Sequence, residues 1–169
     1  MPMNCRKKPP LTSKDTKLKN TMLKENDSVE SILVRDFNNN SVDLIKKYQG
    51  KSLLVIIYNN QCLGCTGRAI PLAYELQKEN KEVQVIGIHT SFNAGQVTES
   101  DIKSIFTINE LPFPIFLDNG RMVYDQFDSS GTPQWILITK GGKLSRTIFG
   151  SQEGAQNRLY YAIEQLKGK

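Results

Sequence analysis

The stretch from Leu53 to Ile88 constrains this chain more than any other. Leu53-Leu54-Val55-Ile56-Ile57-Tyr58 is apolar without alternation, the pattern of a strand covered on both faces. Asn59-Asn60-Gln61 interrupts it. From about Cys62 to Glu79 the apolar residues Ile70, Ala73, Tyr74 and Leu76 return at helical spacing. Pro71 lies inside that helix, where it removes a backbone donor and predicts a kink. Val83 to Ile88 is the next strand. A strand, a helix and a strand over this length make a right-handed parallel crossover, so the class is α/β.

The flanking segments extend the same plan. Ser31 to Val34 reads as a short strand, Asp36 to Asn40 as a turn, and Val42, Leu44 and Ile45 as a helical turn capped by Gly50. After a polar loop, Ser100 or Thr98 is placed to cap a helix from Asp101 to about Glu110, which Pro112 and Pro114 end. Pro114 to Leu117 predicts a strand and Met122 to Phe127 a short helix. Gln134 to Thr139 and Lys143 to Phe149 predict a hairpin about Lys140-Gly141-Gly142. A last helix, Gln152 to Leu166, carries Leu159, Ala162, Ile163 and Leu166 on one face. The expectation is a mixed sheet with helices on both faces.

Length and charge set the boundaries. The 169 residues suit one domain. The net charge of +5 sits mostly in residues 1–28, where seven Lys/Arg face three acids. This predicts a disordered basic tail before a nearly neutral domain over 29–169, and no nucleic-acid partner. No apolar run is long enough for a helical membrane span. No apolar stretch of signal-peptide length follows the basic start, so the expected location is the cytoplasm, or the periplasm if the true start lies elsewhere. Three cysteines do not make a disulfide framework, and a single histidine excludes any site built from several.

Cys62-Leu63-Gly64-Cys65 is the constellation with chemical content. It falls where a buried strand meets the first turn of a helix, the context in which CxxC reads as redox. The opening turn has unpaired N–H groups and the positive end of the helix dipole, and thiolates there are stabilised. Cys62 is therefore the expected attacking thiolate, and Cys65, one turn on and more buried, the resolving thiol. Two other readings stand beside this one. Half a zinc site would need Cys5 and His89 as further ligands. Two inert core cysteines would pack as small hydrophobes, against which the small and polar neighbours Gln61, Gly64 and Thr66 argue.

From Ser28 to Leu166 the chain resembles the thioredoxin superfamily, in its TlpA/ResA-type and AhpC/TSA-redoxin branch of bacterial thiol–disulfide proteins. The resemblance rests on the strand Leu53–Tyr58, Cys62-Leu63-Gly64-Cys65, Pro71, the insertion around 93–117, Gly131-Thr132-Pro133 and the Lys140-Gly141-Gly142 hairpin. It implies a three-layer α/β/α sandwich with an N-terminal β-hairpin and an inserted helix and strand. It implies a cis bond before Pro133, with Thr132-Pro133, Gln61, Leu63 and Gly64 forming the substrate platform. It also implies a monomer or weak dimer that needs no metal or organic cofactor and exchanges disulfides with a protein or small-thiol partner, in an antioxidant setting. Three positions depart from the family pattern. Gln61 stands where thioredoxins carry tryptophan, and Ile56 and Arg68 stand where relatives carry the acid that accepts a proton. Arg68, if turned toward the sulfurs, would favour a thiolate by its charge. A peroxidase acting through Cys62 and a non-catalytic binding module on the same fold are the alternative functions. The peroxidase reading lacks its usual threonine, because Asn59 occupies that position. Among other residues, His89 and Trp135 read as structural, Tyr58 as a possible wall of the site, and Phe113 and Phe116 as part of a substrate groove.

Overall fold

The computed structural model describes residues 22–107 and 110–168. Seven strands form one sheet: β1 (Leu33–Arg35), β2 (Ser41–Asp43), β3 (Ser52–Tyr58), β4 (Val83–His89), β5 (Ile115–Leu117), β6 (Gln134–Ile138) and β7 (Leu144–Phe149). Their order is β2-β1-β5-β4-β3-β6-β7. β3, β4 and β5 run parallel, while β6 and β7 on one side and the β1–β2 hairpin on the other are antiparallel. β3 lies between β4 and β6, and all seven of its residues are buried, which is why it reads without alternation.

Alternate residues of β3 feed two cores. Leu54, Ile56 and Tyr58 face the helices α2 (Ile70–Glu79), α3 (Glu99–Lys103) and α5 (Glu153–Lys167), through Ala73, Leu76, Ile102, Leu159 and Ile163. Leu53, Val55 and Ile57 face α1 (Leu44–Lys47) and α4 (Met122–Gln126), through Leu44, Val123 and Tyr124. The result is the α/β/α sandwich with a mixed sheet, a thioredoxin-like fold.

Several local expectations are corrected. Val42 is a strand residue paired with Val34 across the β1–β2 hairpin, so the first helix starts at Leu44, with Asp43 Oδ1 accepting from Ile45 N–H at 3.1 Å. Thr98 caps α3 in a reciprocal box with Asp101, but the helix ends at Lys103, far short of Glu110. Phe106 N–H already turns back to Lys103 O, a tighter bond than a helix makes. Phe113 and Phe116 are both buried, in opposite cores, and form no shared groove.

Residues just before Val29 also pair with the sheet. Asn26 N–H bonds to Leu144 O at 2.7 Å, Leu144 N–H to Asp27 O at 2.9 Å and Val29 N–H to Gly142 O at 2.8 Å. β7 is a sheet edge, and Asn26, Asp27 and Val29 take up backbone groups at its first residue, Leu144, and in the turn before it. Residues 1–21, with Cys5 and most of the basic tail, lie outside the described residues.

Candidate active site

The polar break after β3 is fastened by its own side chains. Asn59 Nδ2 donates to Thr90 O at 2.7 Å, and Asn59 Oδ1 accepts from Gln61 N–H at 2.8 Å. Asn60 N–H donates to His89 Nε2 at 3.2 Å, and its amide reaches Asp101 O at 2.7 Å. These bonds tie the exit of β3 to the end of β4 and to α3. Cys62 N–H then bonds to Asn59 O, and Cys62 O accepts from Cys65 and Thr66 N–H at 3.0 and 3.1 Å, which opens the helix on Cys62.

The next turn is wide. Cys65–Ala69 is a π-turn in which Ile70 N–H reaches Cys65 O, five residues back, and Pro71 sits in the first turn of α2. The kink expected at Pro71 thus takes the form of a π-turn before it, where the extra residue gives room to a ring that a regular turn would crowd.

Cys62 Sγ accepts from Cys65 N–H at 3.2 Å and, as a thiol, donates to Thr132 O at 3.4 Å. The two bonds fix the position of the sulfur between the start of the helix and the Thr132–Pro133 segment. The Thr132-Pro133 peptide is cis, as the resemblance implies, and Pro133 is buried. Cys62 is half-buried and Cys65 fully buried, both free thiols. Burial, with the hydrogen bond to Cys62 acting in the same direction, pushes the Cys65 thiol up to about 12.

The remaining expected residues surround the pair. Gln61 is exposed just before Cys62, and Leu63 between the cysteines is 86% exposed. Gly64 packs so closely that a Cβ there would stand 3.0 Å from Ser151 Oγ. Phe149, 49% exposed, lies against Gly131, two residues before Pro133. The Arg68 guanidinium donates to Gln152 Oε1 at 2.7 Å, which ties the π-turn to the start of α5 and gives the cation an amide partner, not a sulfur. Trp135 is buried and donates its indole N–H to Gly150 O at 2.9 Å, a packing role. A cleft of about 340 Å³ opens beside Gln61, lined also by Asn60, His89, Gln96 and Asp101. Among the described residues no group of three His, Cys, Asp or Glu is arranged to hold a metal ion, and no helix is long and apolar enough to cross a membrane.

Sequence reasoning passed over the fastening role of Asn59 and Asn60. The signal was two amides in a row between a buried strand and a CxxC pair, side chains suited to bonding nearby backbone. His89 was read as structural, and the structure agrees. It is 4% exposed, takes the Asn60 N–H on Nε2, and packs edge-on against Tyr58 with ring centroids 5.4 Å apart.

The AhpC/TSA family model matches residues 18–147. The chain belongs to the AhpC/TSA family. Among curated relatives it is similar to the thiol-disulfide oxidoreductase ResA of Bacillus cereus (strain ZK / E33L), 26% identical over 132 residues, which cover 77% of this chain and 72% of the relative. Among solved structures it is similar to a thiol-disulfide isomerase from Corynebacterium glutamicum, with a TM-score of 0.63 and 25% identity over 88% of this chain and 97% of that one. It is similar in fold to the exposed lipoprotein thioredoxin Etrx1 of Streptococcus pneumoniae strain TIGR4, with a TM-score of 0.61 and 20% identity over 79% of this chain and 98% of that one. The AhpC/TSA chain described here is thus a thioredoxin-superfamily protein of the TlpA/ResA type, in a family of redox enzymes.

Proposed function

We propose that this protein is a thiol–disulfide oxidoreductase that exchanges its Cys62–Cys65 dithiol with a disulfide of a protein or small thiol. One observation carries the reading: Cys62 Sγ sits between the Cys65 N–H at 3.2 Å and the Thr132 carbonyl at 3.4 Å, with the Cys65 thiol buried beneath it. The Cys62 thiolate attacks a substrate sulfur and displaces the other substrate sulfur as a thiolate. Cys65 then attacks Cys62 Sγ, releases the second substrate thiol and leaves the Cys62–Cys65 disulfide, so two electrons pass to the substrate. With an oxidised pair and a dithiol partner, the same steps run in reverse.

Thr132 and Pro133 face Cys62 as the substrate platform, and Gln61, Leu63 and Gly64 form its near wall. The exposed Leu63 and Phe149 suit a protein partner with an apolar residue beside its cysteine. Every group in this scheme comes from one chain, so a monomer suffices.

The test is capture. Cys65→Ser is expected to accumulate a mixed disulfide through Cys62 with insulin as substrate, and Cys62→Ser to show no exchange. A Cys65→Ser protein that holds no adduct, or a wild-type protein that consumes hydrogen peroxide but reduces no disulfide, refutes the reading and favours the peroxidase.

A further inference from the structure

His89 is a buried imidazole with one nitrogen unused. It ends β4 beside Tyr58 and is 4% exposed. Asn60 N–H donates to its Nε2 at 3.2 Å, which leaves the ring proton on Nδ1. Nδ1 makes no hydrogen bond to any described residue, yet it is not sealed from solvent, so it opens to the space that the ring lines. That space is a pair of clefts, one of about 340 Å³ beside Gln61 and one of about 520 Å³ that continues past β5 to Arg35. We propose that the two clefts form one groove for an extended polypeptide segment of the substrate, and that His89 Nδ1–H donates to a main-chain carbonyl of that segment.

The groove begins at the redox pair, since Gln61 precedes Cys62. Ser91, Asn93 and Gln96 line both clefts together with His89, so the two are continuous. Their course follows one row of paired residues across the sheet, from Tyr58 to His89, from His89 to Leu117 and from Leu117 to Arg35. Three strand spacings make about 14 Å, which an extended chain crosses in about four residues.

The lining selects the occupant. Each charged side chain along the groove already has a partner within the fold. Arg35 donates to Asn119 Oδ1 and Asn39 Oδ1, and Asp36 accepts from the Asn38 and Asn40 N–H groups. Asp118 accepts from the Val123 and Tyr124 N–H groups, and Asp101 from Thr98. What the groove offers a visitor is a neutral imidazole N–H among amides and a hydroxyl. A polypeptide main chain presents neutral carbonyls at regular spacing, and a carbonyl is the acceptor such a donor takes. A substrate too short to reach His89 leaves that donor unmatched and is discriminated against. The inference rests on the exchange reading and narrows its partner to a polypeptide disulfide.

The experiment uses the reduced full chain carrying Cys5→Ser, and peptides of alanine and serine whose one cysteine is capped as a mixed disulfide with 2-nitro-5-thiobenzoate. The Cys62 thiolate attacks the peptide sulfur, and the bond from that sulfur to the cap breaks with its electron pair on the coloured thiolate. The rate constant of colour release is measured as the flank on either side of the cysteine is lengthened. It is expected to rise about tenfold as one flank reaches about four residues, and then to level off. His89→Phe is expected to lose most of that rise. His89→Gln, whose amide can accept from Asn60 N–H and donate to a carbonyl, is expected to keep it. Gln96→Trp, at an exposed loop position, fills the groove and is expected to flatten the same series, which tests the groove even where His89→Phe does not fold. A flat series in the parent overturns the proposal, and so does a series as steep in His89→Phe or Gln96→Trp as in the parent. Colour release no faster in the parent than in Cys62→Ser overturns the exchange reading itself, and this inference with it.

Discussion

His89 sets a measurable link between acidity and stability. Burial pushes its pKa from 6.5 down to about 4, and the charge of Asp101 only partly opposes this. Asn60 N–H occupies Nε2, so the ring is held neutral with its proton on Nδ1. Between pH 6.5 and about 4 the unfolded chain binds a proton on this imidazole that the folded chain refuses. Stability contributed by His89 is therefore complete above pH 6.5, falls as the pH drops through that window, and falls no further below about 4. At about 1.36 kcal/mol per tenfold change in the proton equilibrium, the window is worth ~3 kcal/mol at most. His89→Gln removes the titration, and comparing it with the parent cancels the carboxylates that titrate in both. Urea unfolding at pH 7, 6, 5 and 4.5 gives the two stability curves. The parent is expected to lose up to ~3 kcal/mol relative to His89→Gln on going from pH 7 to 4.5. Parallel curves would show that His89 ionises alike in the folded and unfolded chains, and the argument from burial would fail.

Other substitutions test the scaffold of the site. Gly87→Ala places a Cβ 3.0 Å from Phe113 Cε2 and 3.1 Å from Ile115 Cγ1, and is expected to cost ~1–3 kcal/mol in urea unfolding. Asn59→Ala leaves Thr90 O and Gln61 N–H without their partner, and an expected loss of ~1–3 kcal/mol accompanies faster hydrogen exchange at the Gln61 amide. Thr98→Ala removes the α3 cap and is expected to cost ~1 kcal/mol while leaving disulfide exchange intact, as read by insulin reduction.

The central unit was legible because its physics is local. An unbroken apolar strand, a CxxC pair at the start of a helical pattern and a second apolar strand allow few arrangements, and β3, α2 and β4 stand where periodicity places them. The last helix was legible for the same reason, since Leu159, Ala162, Ile163 and Leu166 make a single buried stripe. Errors fell on short elements. Val42 has the same hydrophobicity in a strand or a helical turn, and only its pairing with Val34 decides between them. α3 stops at Lys103 although Ile105 and Phe106 continue its apolar pattern, because both still pack against the core from a turn, so apolar spacing marked the contact and not the helix.

Residue order alone gave away the α/β class and the place of Cys62 and Cys65 at the opening of a helix, because each depends on neighbours a few positions apart. It also carried the likeness from which the platform at Thr132 and Pro133 was inferred. Tertiary structure decided which groups meet across the sheet. Thr132 comes to the Cys62 sulfur from seventy positions away, Arg68 turns to Gln152, and the Tyr58 hydroxyl is left unpartnered in the core that holds Cys65. Hydrogen bonding and desolvation act over a few ångströms of space, and the strand register that sets those distances arises only when the sheet closes.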